Sequence, residues 1–233
     1  SARPRTAGDD AVARRAFGGG QDTVAVVDLA NASVVERIET GAYPHGLRLS
    51  PDGTELYVAN VEDGSVSVID TANLTEAARI PVGTAPVQVG FTPDGSRVYV
   101  SLRDENRVAV IDTATREVTR RIEVGPNPIQ MIATPDGRQV YVANQGTEAA
   151  PNDTVSVIDT ATGKVAKTLK TAAGAHEPAA LHGLVTAAGH AAAAGVSAGP
   201  GGRTEPRAAG NASGGRVPGR AALGAGIPDL DVR

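Results

Sequence analysis

From Thr23 onward, apolar and polar residues alternate in short runs, each closed by a cluster of Gly, Pro, Asn or Asp, which predicts β-strands joined by tight turns. The stretch Pro44 to Gly83 shows the unit most fully. Gly46-Leu47-Arg48-Leu49-Ser50 reads as a first strand, A, with one apolar face. Pro51-Asp52-Gly53 then reads as a turn: proline presets φ, aspartate bonds its own backbone, and glycine accepts positive φ. Glu55 to Ala59 is a second strand, B, Ser65 to Asp70 a third, C, and Asp63-Gly64 between them is a hairpin signal. Glu76 to Ile80 makes the fourth, D, reached through the Asp70-Thr71-Ala72-Asn73 turn.

The unit recurs at a step of 42 residues. Pro-Asp-Gly returns at 93–95 and 135–137, Tyr57 returns as Tyr99 and Tyr141, and Asp28, Asp70 and Asp112 each close a Val/Ile-rich run. Four short strands at such a period predict an all-β fold, a β-propeller whose four-stranded blades bury their faces against one another. Three fuller blades fall at about 44–83, 86–125 and 128–172. Before them, Thr23 to Asp28 and Val34 to Ile38 supply strands C and D of a half blade, with Ala16-Phe17 a remnant of its strand B. In the last blade, Gly146 to Asp153 is an insertion that lengthens the Asp112-to-Asp159 spacing to 47 and is expected in the loop between B and C.

Strand B reads Tyr57-Val58-Ala59-Asn60 and Tyr141-Val142-Ala143-Asn144, degrading to Tyr99-Val100-Ser101-Leu102. Val155-Ser156-Val157-Ile158-Asp159-Thr160-Ala161-Thr162 repeats strand C, and Ile122-Glu123-Val124-Gly125-Pro126-Asn127-Pro128 repeats the D-to-A passage. On these motifs the stretch from Asp22 to Gly174 resembles the YVTN family of β-propeller repeats. The resemblance implies a surface-layer or periplasmic protein with a non-catalytic binding or scaffold role. Similar propellers also include lactonases and the electron-transfer subunits of quinone and haem enzymes, so an enzyme or enzyme subunit stands as the alternative. A ring needs about 4–8 blades. Three and a half therefore predict a fragment, a small ring closed by the tail, or a molecule whose open blade edges pair with another copy.

Three regions follow: an Arg- and Ala-rich lead-in at 1–20, expected to be flexible, the blades at 21–174, and a tail at 175–233 dominated by Ala, Gly, Arg and Pro. For the tail three readings stand. Leu181-His182-Gly183-Leu184-Val185-Thr186 echoes Pro44 to Leu49 and could complete the half blade; the composition also suits disorder; and a reading-frame slip in GC-rich coding DNA would give the same abrupt change.

Composition narrows the chemistry. Hydrophobic residues make up 41% but aromatics only 3%, with no Trp, which suits a core of Val, Ile, Leu and Ala between stacked sheets. The absence of Cys excludes disulfides, thiol nucleophiles and covalent c-type haem attachment. Net charge is −4, but both ends are basic and the repeats between them hold −7, which argues against nucleic acid as a partner. No apolar run approaches the ~18 residues of a membrane span. No secretory segment is present either, and whether one preceded Ser1 stays open.

In a propeller the B–C loops and D–A connections share one face, and the Pro-Asp-Gly and Asp-Thr turns share the other. Asp52, Asp94, Asp136, Asp70, Asp112 and Asp159 are assigned to turn geometry. The variable face is the expected binding surface, for a small molecule or a protein that the sequence does not identify. Its D–A segments offer Tyr43, His45 and Asn127, with Gln88 and Gln130 close by. Its B–C loops offer Asn60, Glu62, Asp63, Arg103, Asp104, Asn144 and Gln145. His45 is the only histidine in the repeats and has no assignable catalytic partner. No catalytic residue, metal ligand or cofactor site is assigned: His176, His182 and His190 fit no metal spacing, and Gly18-Gly19-Gly20 lacks a P-loop lysine.

Overall fold

The structure, a computed structural model, describes residues 15–20, 22–147 and 149–171. Among these described residues, fifteen strands form four antiparallel sheets. A three-stranded sheet comprises β1 (Arg15–Gly19), β2 (Thr23–Asp28) and β3 (Ser33–Glu39). The next has β4 (Pro44–Leu49), β5 (Glu55–Asn60), β6 (Ser65–Asp70) and β7 (Thr75–Pro81). A third has β8 (Pro86–Phe91), β9 (Arg97–Leu102), β10 (Arg107–Asp112) and β11 (Glu117–Glu123). The fourth has β12 (Pro128–Ala133), β13 (Gln139–Gly146), β14 (Pro151–Asp159) and β15 (Lys164–Lys170). Every sheet runs in chain order, as consecutive hairpins require, so the all-β partial propeller is the observed fold.

Two boundaries differ from expectation. β1 pairs with β2 over Arg15–Gly19, so the end of the expected 1–20 lead-in is a strand of the first blade, at Ala16-Phe17. The insertion at 146–153 is not a plain loop: it extends β13 and β14 until Gly146 pairs with Pro151, and the chain reverses over Thr147 and Ala150. Extra residues between antiparallel strands satisfy their backbone groups most simply by lengthening the ladder. The rest of the lead-in, and the tail with its Leu181 to Thr186 echo, lie outside the described residues.

Strand β5 is buried on both faces, which is why Leu56 to Ala59 reads as an unbroken apolar run rather than an alternation. Leu56, Val58 and Ile69 pack on Val24, Val26 and Ile38 of the first blade. Tyr57, Ala59, Val66 and Val68 turn the other way, onto Val89, Val98, Val100 and Ala109 of the third. Tyr99, Val108 and Val110 repeat the contact with Met131, Val140 and Val142 of the fourth. Arginines tie neighbouring blades across this apolar seam: Arg116 pairs with Glu55 at 2.7 Å, and Arg97 donates to the Thr160 carbonyl at 2.8 Å.

The assignment of the repeated aspartates to turns matches their contacts. Asp52 accepts hydrogen bonds from the Ser50 hydroxyl and from the amide and hydroxyl of Thr54. Asp94 repeats this with the Thr92 hydroxyl and the amide and hydroxyl of Ser96, and Asp136 with the Thr134 hydroxyl and the Arg138 amide. The hydroxyls of Ser50, Thr92 and Thr134 are the main cause holding these carboxyls below the ordinary 3.8. A group depressed by folding adds stability above its unfolded value and loses it as pH falls through the folded one. Thermal midpoints are therefore expected to be flat well above pH 3.8 and to drop on acidification through and below it. Replacing the three aspartates by asparagine together should flatten that drop while lowering the plateau. An unchanged acid limb in the triple variant would remove the turns as its cause.

Candidate functional site

The variable face is built on a repeated backbone device. Tyr43, Ala85 and Asn127, one per D–A passage, all have positive φ (56°, 49° and 55°). Their carbonyls accept from the amides of Val61, Arg103 and Gln145, at the end of each strand B. This link sets the B–C loop of a blade beside the passage that enters it.

Beneath it, the inner strands β4, β8 and β12 approach one another side by side. His45 Nδ1 lies 3.1 Å from the Val87 carbonyl, and since that oxygen only accepts, Nδ1 is the donor, which in the neutral ring makes Nε2 the nitrogen with the lone pair. Gln88 donates through its amide to Gln130 Oε1 at 3.0 Å. Gly46 takes the equivalent place in β4, where a Cβ would strike Gln88 Cα at 2.7 Å and crowd the Val87 carbonyl.

These elements enclose an open basin of about 640 Å³ lined by His45, Val87, Arg103, Asp104, Asn127, Ile129, Gln130, Gln145 and Thr147. Five of the expected residues thus meet: His45, Arg103, Asp104, Asn127 and Gln145. Tyr43 stands at its edge, stacked on His45 with centroids 6.5 Å apart and planes 29° apart. Arg103 and Asp104 pair at 2.7 Å in a short 3₁₀ turn, Arg103–Glu105. That hydrogen bond holds the Asp104 carboxyl below its ordinary range and raises Arg103.

The remaining four residues go elsewhere. Asn60 and Asn144 are 0% and 2% exposed, beneath the face rather than on it. Asn60 Nδ2 donates to Ser65 and Ser67 at 3.0 and 2.8 Å, and Ser67 Oγ accepts from the Gly41 amide at 3.4 Å. Asn144 repeats the clasp with Thr154, Ser156 and Gly125. Asp63 accepts from Ser65 at 2.5 Å and faces Arg79 at 3.7 Å, and Glu62 is exposed on the same loop; neither lines the basin. The third blade has Leu102 in place of the asparagine, and Glu105 from the 3₁₀ turn takes the Thr84 amide at 2.6 Å instead. The loop that departs from the repeat is the one that brings Arg103 and Asp104 into the basin.

Sequence reading missed Val87, Ile129 and Thr147. The first two lie one and two repeat steps after His45, a signal that was present but masked by their apolar character. Among the described residues no three His, Cys, Asp or Glu side chains gather to hold a metal, and no helix is long and apolar enough to cross a membrane.

Four-stranded blades packed face to face define the class, a β-propeller. Residues 7–127, more than half the chain, match the model of the cytochrome D1 heme domain, and the chain belongs to that family. Residues 75–182 also match the model of the seven-bladed β-propeller lactonases. No curated protein matches. Among solved structures, the hydrazine synthase of Kuenenia stuttgartiensis is similar at 31% identity and a TM-score of 0.64, over 66% of this chain and 45% of that one. The chain thus spans less than half the length of that relative.

Proposed function

We propose that this protein is a ligand- or partner-binding propeller of YVTN type that acts outside the cytoplasm, and that the basin is its working surface. One observation carries the reading: five variable residues from three blades converge in that basin, while the polar residues of the opposite face are consumed by turns. Its one guanidinium is paired with Asp104, a poor arrangement for tracking a phosphate backbone. A lactonase-like centre finds little support, since Asp104 is the only carboxylate lining the basin among the described residues and is held by Arg103.

Family membership favours a second reading, in which the bound group is a tetrapyrrole. His45, with Nδ1 anchored on a carbonyl, has Nε2 left to hold an iron. Bound haem would supply redox chemistry; the chain would supply the anchored imidazole and the polar wall.

Ligand-observed NMR with a fragment library and haemin tests the site. Binding should be competitive among hits and lost in Gln145→Ala or His45→Ala, with thermal midpoints unchanged. Hits insensitive to both substitutions would move the working surface elsewhere. For the second reading, haemin should give a shifted Soret band that His45→Ala removes; a spectrum unaltered by that substitution rejects His45 as the ligand.

A further inference from the structure

Tyr43 is out of keeping with its position. The equivalent residues are Ala85 and Asn127, and all three adopt the left-handed conformation. Asparagine enters it readily, whereas a bulky aromatic does so only at a steric cost, and such outliers persist where surrounding structure or function requires them. The ring recovers little by burial, since Tyr43 is 54% exposed. Its amide is held by the Asp22 carboxylate at 3.0 Å, and among the described residues the ring packed on it is that of His45. The result is an aromatic ring on an anchored backbone, more than half in solvent, beside His45 at the edge of the basin.

The basin beside that ring has a particular chemistry. Gln130 and Gln145 are amides, which both donate and accept, the complement of hydroxyl groups that also do both; the Asn127 amide is instead turned onto the Gly146 carbonyl. Arg103 and Asp104 cancel each other, so no net charge is offered to a phosphate or carboxylate. The wide opening suits one end or a middle section of a chain rather than an enclosed small molecule. An aromatic face for the apolar face of a sugar ring, amides for its hydroxyls, and no net charge together describe a saccharide site.

We propose that the basin binds a neutral glycan chain, with one pyranose ring stacked on Tyr43 and its hydroxyls on the amides of Gln130 and Gln145. The proposal rests on the basin being the working surface. It gives Tyr43 a reason to occupy a backbone position that asparagine would fill at less cost.

Calorimetric titration of the full chain with cellohexaose, maltohexaose and the hexamer of N-acetylglucosamine tests it, with haemin as a separate arm. At least one hexaose should bind. Tyr43→Asn should weaken it by at least about tenfold without lowering the thermal midpoint, and Tyr43→Phe by no more than about threefold. Gln145→Ala should weaken it too. Failure of all three hexaoses at millimolar concentration overturns the glycan proposal. If haemin binds in that case and His45→Ala abolishes it, the basin survives as a site for another ligand. A hexaose that binds equally well to the Tyr43 and Gln145 variants overturns both.

Discussion

Gly46→Ala is expected to destabilise the protein by about 3 kcal/mol, because its new methyl group has nowhere to go. The Cβ would sit 2.7 Å from Gln88 Cα and closer still to the Val87 carbonyl, atoms of the neighbouring inner strand that move only if the blade moves. Those same atoms anchor His45 and the Gln88–Gln130 pair, so the substitution should also weaken any ligand of the basin. Gly90→Ala is the control. It lies at an inner strand too, but its Cβ would meet only Met131, at 3.4 Å, and a flexible thioether yields. A loss below about 1 kcal/mol is expected there. Urea unfolding of the two variants decides the matter, and equal losses would refute the close approach of β4 and β8.

Asn60→Leu should cost roughly 2–4 kcal/mol, although leucine is the native residue one repeat later. The amide of Asn60 serves two buried hydroxyls, and leucine would leave Ser65 and Ser67 without that donor while crowding Gly41. The third blade carries Leu102 without that loss because Arg107 and Ala109 stand where the second blade has Ser65 and Ser67, so no buried hydroxyl there needs an amide donor. A midpoint shift equivalent to less than about 1 kcal/mol in denaturant unfolding would show the clasp to be incidental.

These two positions mark how far the sequence could be read. The strands and their partners were legible because turn chemistry repeats at a fixed step: Pro51-Asp52-Gly53 and its copies fix where each hairpin reverses, and alternation then sets the register. The basin was half legible. Arg103, Asp104 and Gln145 stood out as polar departures from the repeat, and His45 as its single imidazole. Asn60 and Asn144 misled because a polar residue near the end of a strand looks like the first of a loop. What buries them is a glycine, Gly41 or Gly125, in the preceding D–A passage, and that contact is invisible without the packing of the passage on strand B. The 146–153 insertion misled for a related reason: periodicity shows that residues were added, but not whether the ladder absorbs them.

Each blade ends on an outer strand with a register shift against its neighbour, which falls between Val26 and Val27, Val68 and Ile69, Val110 and Ile111, and Val157 and Ile158. A bulge bends and twists the strands it joins. Those outer strands also carry charge at solvent: Arg79 in β7, Arg120 and Arg121 in β11, Lys164, Lys167 and Lys170 in β15. A bent, charged border is a poor template for a foreign strand. The second, third and fourth sheets can therefore stand with their outer borders in water without templating a fibril.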